Sequence, residues 1–312
     1  MDASIVDWAL LITQLLNGLQ LGILLFLLSA GLTLTFGIMD FINLAHGAFY
    51  MLGALVCAAS TIYFDSFVLG MAIAIPVTAL VGLLTEFVIV RHLYARDHLE
   101  HVLATFGLIL IFDTLAHMIF GAEGMSVPLP RVLNGQVPLF GSVVFPTYRI
   151  LIISVGLLIA LGLYLLVSHT RLGMRIRAGA SNRVMISALG VNIQMLFALV
   201  FALGAALAGI AGMLIAPITE ATIGMGNEII ITAFVVIIIG GIGSIKGAFI
   251  AALIIGLIDT LGRSYLDDVF KLFMSVQAAE TSAPAVSAML IYLLMAAVLV
   301  FRPQGLFPPR TR

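Results

Sequence analysis

Charge is what this chain has least of. Of its 312 residues only 9% are Asp, Glu, Lys or Arg, against about 25% in soluble domains. With 62% of residues hydrophobic and a mean hydropathy of +1.22, water cannot be the solvent for the whole surface. One cysteine, Cys57, excludes an internal disulfide. The opening MDASIVDWA has two Asp and no Lys or Arg, so the basic region of a secretory signal is missing. The first apolar run is therefore expected to be retained. A net charge of −1 gives no basis for a nucleic-acid partner. The string GGIGSIKG at 240–247 does not meet G-x-x-x-x-G-K-[ST], and an apolar run follows it where a soluble βαβ unit should be. No nucleophile is placed to work with His46 or His117, and no cofactor or metal site is expected.

What is present is a series of apolar runs near the roughly 20 residues that a helix needs to cross the bilayer. Backbone groups in lipid must be satisfied within their own segment, and these runs lack the short alternation of a barrel. The expected fold is all-α, a polytopic helical membrane protein of eight or nine spans and one transmembrane domain, 1–312. Spans are expected at 10–36, 47–63, 68–90, 102–120, 149–168, 195–217 and 284–301, with a glycine-interrupted region at 229–262. That region is read as two short crossings turning at GGIGSIKG. The Pro- and Gly-rich stretch 121–148 reads as a structured outer loop, and 267–274 as a short interfacial helix.

Arg91, Arg96, Arg171, Arg175, Arg177, Arg183, Lys246, Arg302, Arg310 and Arg312 fall in connections that alternate with the spans. Enrichment of Lys and Arg marks the cytoplasmic side, which puts the N-terminus outside and the C-terminus inside.

The tetrad His46-Gly47-Ala48-Phe49 recurs as Lys246-Gly247-Ala248-Phe249, each after a break in an apolar segment. Paired glycine breaks in two halves of a transporter point to its path; glycines also simply let helices pack closely. Gln14, Asn17 and Gln20 share a broad face of the first span, with Thr33 and Thr35 further along. Such a face bonds to neighbouring helices or lines a path, and both readings stay open. Asp113 and His117, four apart, are positioned as a local pair or a proton relay. Glu86 reads as an interfacial partner of Arg91, and Asp259 as boundary structure. In the loop 169–194, Val184, Ala188 and Val191 fall on one helical face that Gly190 closes, a shape suited to a groove on another protein.

The stretch 17–54, NGLQLGILLFLLSAGLTLTFGIMDFINLAHGAFYMLGA, resembles the signature of inner-membrane permeases of branched-chain amino acid ABC importers. LATFGLILIFDTLAHMIFG (103–121), the loop at 170–192, AFVVIIIGGIGSIKGAFIAALIIG (233–256) and the tail FRPQGLF (301–307) continue the likeness in the family's order. The chain is similar to the shorter of the two permeases. Two departures stand out: Lys246 where Pro is expected, and Asp113 where a neutral amide is usual. The resemblance implies a bacterial inner-membrane subunit paired with a second, related permease. Two cytoplasmic ATPases and a periplasmic substrate-binding protein complete the importer, in contact with membrane lipid. The path then runs between the permeases, and Asn43, His46 and Gly47 fall in the family's most recognisable motif; with Gln14, Asn17, Gln20, Thr33, Gly240, Gly241 and Gly243 they are the residues expected at the path or gate. The stretch 181–192 would match the segment that sits in a groove of an ATPase, and Arg175, Arg177, Arg183, Ala188 and Gly190 are the residues expected to couple to it. The family also carries urea, short amides and aromatic acids. A proton-coupled transporter and a small-solute channel are the alternatives from other classes.

Overall fold

The computed structural model describes residues 8–139 and 143–307. In chain order the helices are α1 (Trp8–Met39), α2 (His46–Phe64), α3 (Phe67–Val88), α4 (His98–Phe120), α5 (Thr147–His169), α6 (Arg171–Ser181) and α7 (Arg183–Ala188). They continue with α8 (Ile193–Thr219), α9 (Met225–Gly240), α10 (Ile245–Lys271) and α11 (Val276–Phe301). The described residues include one two-stranded hairpin, β1 (Gln136–Pro138) paired with β2 (Val144–Pro146), in the loop between α4 and α5. Among the described residues, eight helices are long and apolar enough to cross a membrane. The chain is a polytopic helical membrane protein, as its composition requires. At 16 residues α9 is shorter, about 24 Å at 1.5 Å per residue.

Most long helices start where Ser, Thr, Asn or Asp can take a free N–H. Ser66, Thr170, Asn182, Asn192, Ser244 and Ser275 each accept from a backbone N–H of the first turn. Helices α2, α5 and α9 differ: Ala45, Pro146 and Gly224 precede them and supply no side-chain cap.

Helix α1 is the hub. Between Ile23 and Leu34 its apolar side chains are almost fully covered, whereas most of α11 faces outward. Lipid gives apolar helices no reason to cluster by hydrophobicity alone, so close approach at small residues carries the packing. A methyl added at Gly18, Gly22 or Gly37 would lie within 3.0 Å of the backbone of Leu257, Ala252 and Leu253, or Gly243. The descending partner numbers show that α1 and α10 run antiparallel. Gly31 meets Gly204 of α8 in the same way.

Four connections gather at one end of the bundle. Asp40 lies 3.6 Å from His98, Gly37 abuts Gly243, and Ile38 and Leu196 flank Gly179 of α6. The tail folds back onto the 241–244 turn: Leu306 N donates to Ile239 O and Phe307 N to Gly240 O, at 2.8 and 3.1 Å. Those two carbonyls end α9 and would otherwise be unpaired. Gly241 (φ +101°) and Gly305 (φ +81°) touch here in backbone conformations closed to most side chains. Arg91, Arg96, the four arginines of 171–183, Lys246 and Arg302 thus share one end. Arg310 and Arg312 lie outside the described residues.

Two expectations are corrected. The break in 229–262 exists, but α10 is a full 27-residue helix rather than a short crossing. Residues 267–271 form its last turns instead of a separate interfacial helix. The Asp267–Lys271 pair at 2.5 Å, one turn apart, holds the helix through this polar stretch.

Beside the same end Glu86, with no exposed surface, accepts from Arg91 at 3.1 Å and from the Tyr94 hydroxyl at 2.5 Å. Burial first, and the Glu86 carboxylate second, raise the Tyr94 phenol above its ordinary pKa. Removing the cation strands a buried charge. Arg91→Ala is expected to cost about 3 kcal/mol, read as a lower melting temperature of the detergent-purified protein. The double variant Arg91→Leu/Glu86→Gln should recover much of that loss.

Candidate functional site

The segment 40–45 behaves differently from a tight turn at the membrane edge. Asp40 sits beside His98 at the start of α4, but Leu44 N donates to Thr105 Oγ1 at 3.2 Å. Ala45 packs against Leu108 and Ile109. The chain therefore climbs back along α4, and α2 begins roughly 15 Å inside the bundle at 1.5 Å per residue. His46 agrees: its Nε2 is 3.1 Å from Leu28 O, well before the end of α1. Non-helical backbone at this depth is tolerated only inside protein or facing a water-filled cavity, and the Thr105 hydroxyl takes one freed N–H. Next to His46, Gly47 meets Gly226 in the first turn of α9, so two helix starts without side-chain caps touch. The second tetrad pairs with the other end of α9, where Gly247 abuts Gly240. Both members of the internal repeat thus grip the short helix.

On the side of α9 away from the basic end lies a cavity of about 510 Å³ between α1, α2, α8, α9, α10 and α11. Leu21, Leu24 and Leu25 of α1 and Ile255 and Ile291 form an apolar wall. Tyr50, Glu220, Glu228, Asp259 and Arg263 bring polar groups to it. Arg263 Nε donates to both Asp259 carboxylate oxygens, at 3.0 and 2.9 Å. Glu220 ends α8 with φ +70° and ψ 155°, a region nearly restricted to glycine.

None of the path residues expected from the sequence lines this cavity. Gln14 and Asn17 bond to each other, and Arg149 Nη1 donates to Asn17 Oδ1 at 2.5 Å, tying α1 to α5. Gln20, Thr33 and Asn43 are buried, each with a side-chain polar atom that no other described group satisfies. Asn43 O accepts from His46 N at 3.4 Å. Gly240, Gly241 and Gly243 form the turn under the tail. Asp113 Oδ2 accepts from Asn227 Nδ2 at 2.8 Å rather than pairing with His117, which is exposed.

Glu228 and Arg263 were missed, and Asp259 was read as boundary structure. The signal for all three was plain charge within or beside apolar runs, which lipid does not tolerate without protein or water facing it. What the sequence could not give was their convergence from two helices.

At the basic end α7 is a six-residue helix capped by Asn182, whose Oδ1 accepts from Met185 N at 2.9 Å. It closes at Gly190 (φ +85°) in a Schellman turn: Val191 N donates to Ile186 O and Gly190 N to Ser187 O. Ile186 anchors the helix inward, while Val184, Met185 and Leu189 are 81%, 60% and 76% exposed. Arg183 stacks over Phe197 at 5.7 Å, and Arg177 donates to Val167 O; Arg175 and Ala188 face outward.

No solved structure matches the chain. The family described as "branched-chain amino acid transport system / permease component" matches residues 14–299. The high-affinity branched-chain amino acid transport system permease protein BraD of Pseudomonas aeruginosa is 32% identical over 308 residues, 94% of each chain. The corresponding LivH of Escherichia coli K12 is 31% identical over 83% of this chain and 88% of its own. A probable LivH of Methanocaldococcus jannaschii is 30% identical over 79% of both. With residues 14–299 matched by the family and relatives 30–32% identical over most of its length, this chain belongs to the branched-chain amino acid transport permease family.

Proposed function

We propose that this chain forms one half of the translocation path of an ATP-driven importer that takes branched-chain amino acids across the bacterial inner membrane. The observation that carries the reading is the match to transport permeases over most of the chain, at 94% coverage of both chains for BraD. The chain itself performs no covalent chemistry. A second, related permease completes the path, two cytoplasmic ATPases supply the energy, and a periplasmic binding protein delivers the solute. The basic end is cytoplasmic by the charge rule, with the N-terminus outside and the tail inside. The segment 169–194 then reaches the ATPases, and the exposed Val184, Met185 and Leu189 of α7 seat in a groove there. Gly47, His46 and the 240–243 turn act as a gate, since they hold both ends of α9. Gln14, Asn17, Gln20, Thr33 and Asn43 line or brace the path from α1 and the re-entering segment.

Reconstitution of the complete importer in proteoliposomes tests this. L-leucine uptake is expected only with ATP on the cytoplasmic face and loaded binding protein outside. Uptake driven by a proton gradient with no partner proteins would overturn it in favour of a secondary transporter. Asp113, held by Asn227, gives that alternative little to work with.

His46→Ala should change the rate of uptake more than solute preference, because the ring bonds to Leu28 O inside the bundle. Competition by other amino acids against L-leucine uptake measures the preference; a clean change in it would put His46 against the solute.

A further inference from the structure

We infer that the cavity between α1, α9 and α10 is an amino-acid site. Glu228 is the counter-charge for the solute's ammonium group, Arg263 the partner of its carboxylate, and the leucine wall of α1 the seat for an aliphatic side chain. The inference rests on the amino-acid reading above and adds the residues that would enforce it.

Three observations converge. First, the charges are unequal. Arg263 is committed through Nε to Asp259, whereas among the described residues Glu220 and Glu228 have no ion-pair partner. A cavity lined by two unpaired carboxylates favours a cation. Second, Asp259 orients Arg263 while engaging only Nε. The two terminal nitrogens of the guanidinium stay available, and their fork matches a carboxylate. Third, Tyr50 lines the cavity with 7% of its surface exposed, and its hydroxyl has no hydrogen-bond partner among the described residues. The ring is covered while the hydroxyl opens to the cavity, where a bound solute can supply the partner that a Tyr hydroxyl usually finds.

The volume and the wall agree. About 510 Å³ exceeds what a single small amino acid needs, and ligand pockets run roughly 300–1,000 Å³ with mainly apolar linings. Leu21, Leu24, Leu25, Ile255 and Ile291 offer no hydrogen bonds, so they favour a branched aliphatic group over a polar one. Urea and short amides lack the ammonium, and aromatic acids lack it too. The charged rim thus rejects them on the outer side of the path, after whatever selection the binding protein makes.

The test uses the complete importer in proteoliposomes with radiolabelled L-leucine and loaded binding protein. Uptake and ATPase stimulation are measured for the wild type, Glu228→Gln, Glu228→Asp and Arg263→Gln. Glu228→Gln and Arg263→Gln are expected to lower uptake about tenfold or more, the scale of one lost charge-assisted contact. ATPase stimulation by loaded binding protein should hold, and Glu228→Asp should restore most of the uptake. Wild-type uptake by Glu228→Gln would overturn the site while leaving the importer reading intact. Parallel loss of uptake, ATPase stimulation and complex assembly in Glu228→Gln, without rescue by Asp, would show a structural role and also overturn it. If the wild-type importer itself moves no L-leucine, the underlying reading fails and the site with it.

Discussion

The double variant Val184→Asp/Leu189→Asp is expected to abolish ATP-driven uptake and to lose the ATPase subunits during purification, with the permease still inserted at normal levels. Both side chains are more than three-quarters exposed, so within this chain neither substitution disturbs packing. Surface changes of that kind usually shift stability by less than about 0.5 kcal/mol. In a groove on a partner the same residues become the buried centre. Truncation of such anchors commonly costs about 2 kcal/mol or more each, and an unpaired charge costs more than truncation. Two of them together should weaken the contact by at least a few hundredfold. Co-purification and binding-protein-stimulated ATPase activity measure it. Normal coupling in the double variant would remove α7 from the interface. Ile186→Asp serves as the contrast, because Ile186 is the buried anchor and its loss should damage the permease itself.

The second large effect is at Gly47. A methyl there would lie 2.2 Å from Gly226 O, and a methyl at Gly226 would lie 2.0 Å from Gly47 O. Backbone stands on both sides, so no side-chain rotation relieves the overlap. Gly47→Val should therefore exceed the usual overpacking cost of about 1–3 kcal/mol and leave no monodisperse transporter in size-exclusion chromatography. Gly162→Val is the control, since a methyl there meets nothing within 4 Å. A well-behaved Gly47→Val protein would mean that the starts of α2 and α9 are not in contact. Gly226→Val should reproduce the Gly47 result from the other side.

How far the sequence reached depends on the residue. The glycines of GGIGSIKG and the break at Asn43–His46 stood out in the apolar pattern, and both are breaks in the fold. Gly190 likewise announced the end of α7. Yet the Asp267–Lys271 stretch looked like a separate interfacial helix, because polarity along the chain does not reveal an i,i+4 pair extending the helix before it. Gln14, Asn17 and Gln20 shared a face as their spacing required. Spacing could not say that Arg149 would reach across from α5 and hold Asn17. Glu228, Asp259 and Arg263 were legible only as isolated charges.

By itself the sequence determined the solvent, the fold class and the end at which the basic residues collect. Each follows from the free energy of placing apolar or charged groups in hydrocarbon, which is local to a run of residues. Depth and convergence were decided by the tertiary structure alone. The segment 40–45 enters the bundle because Thr105 of α4 can take the N–H of Leu44, and because Gly47 finds a glycine on α9. The cavity is built where α1, α9 and α10 leave room between them, bringing Glu228 and Arg263 to one space from positions 35 residues apart. Such partners are distant in the chain, and no single run of residues encodes their meeting.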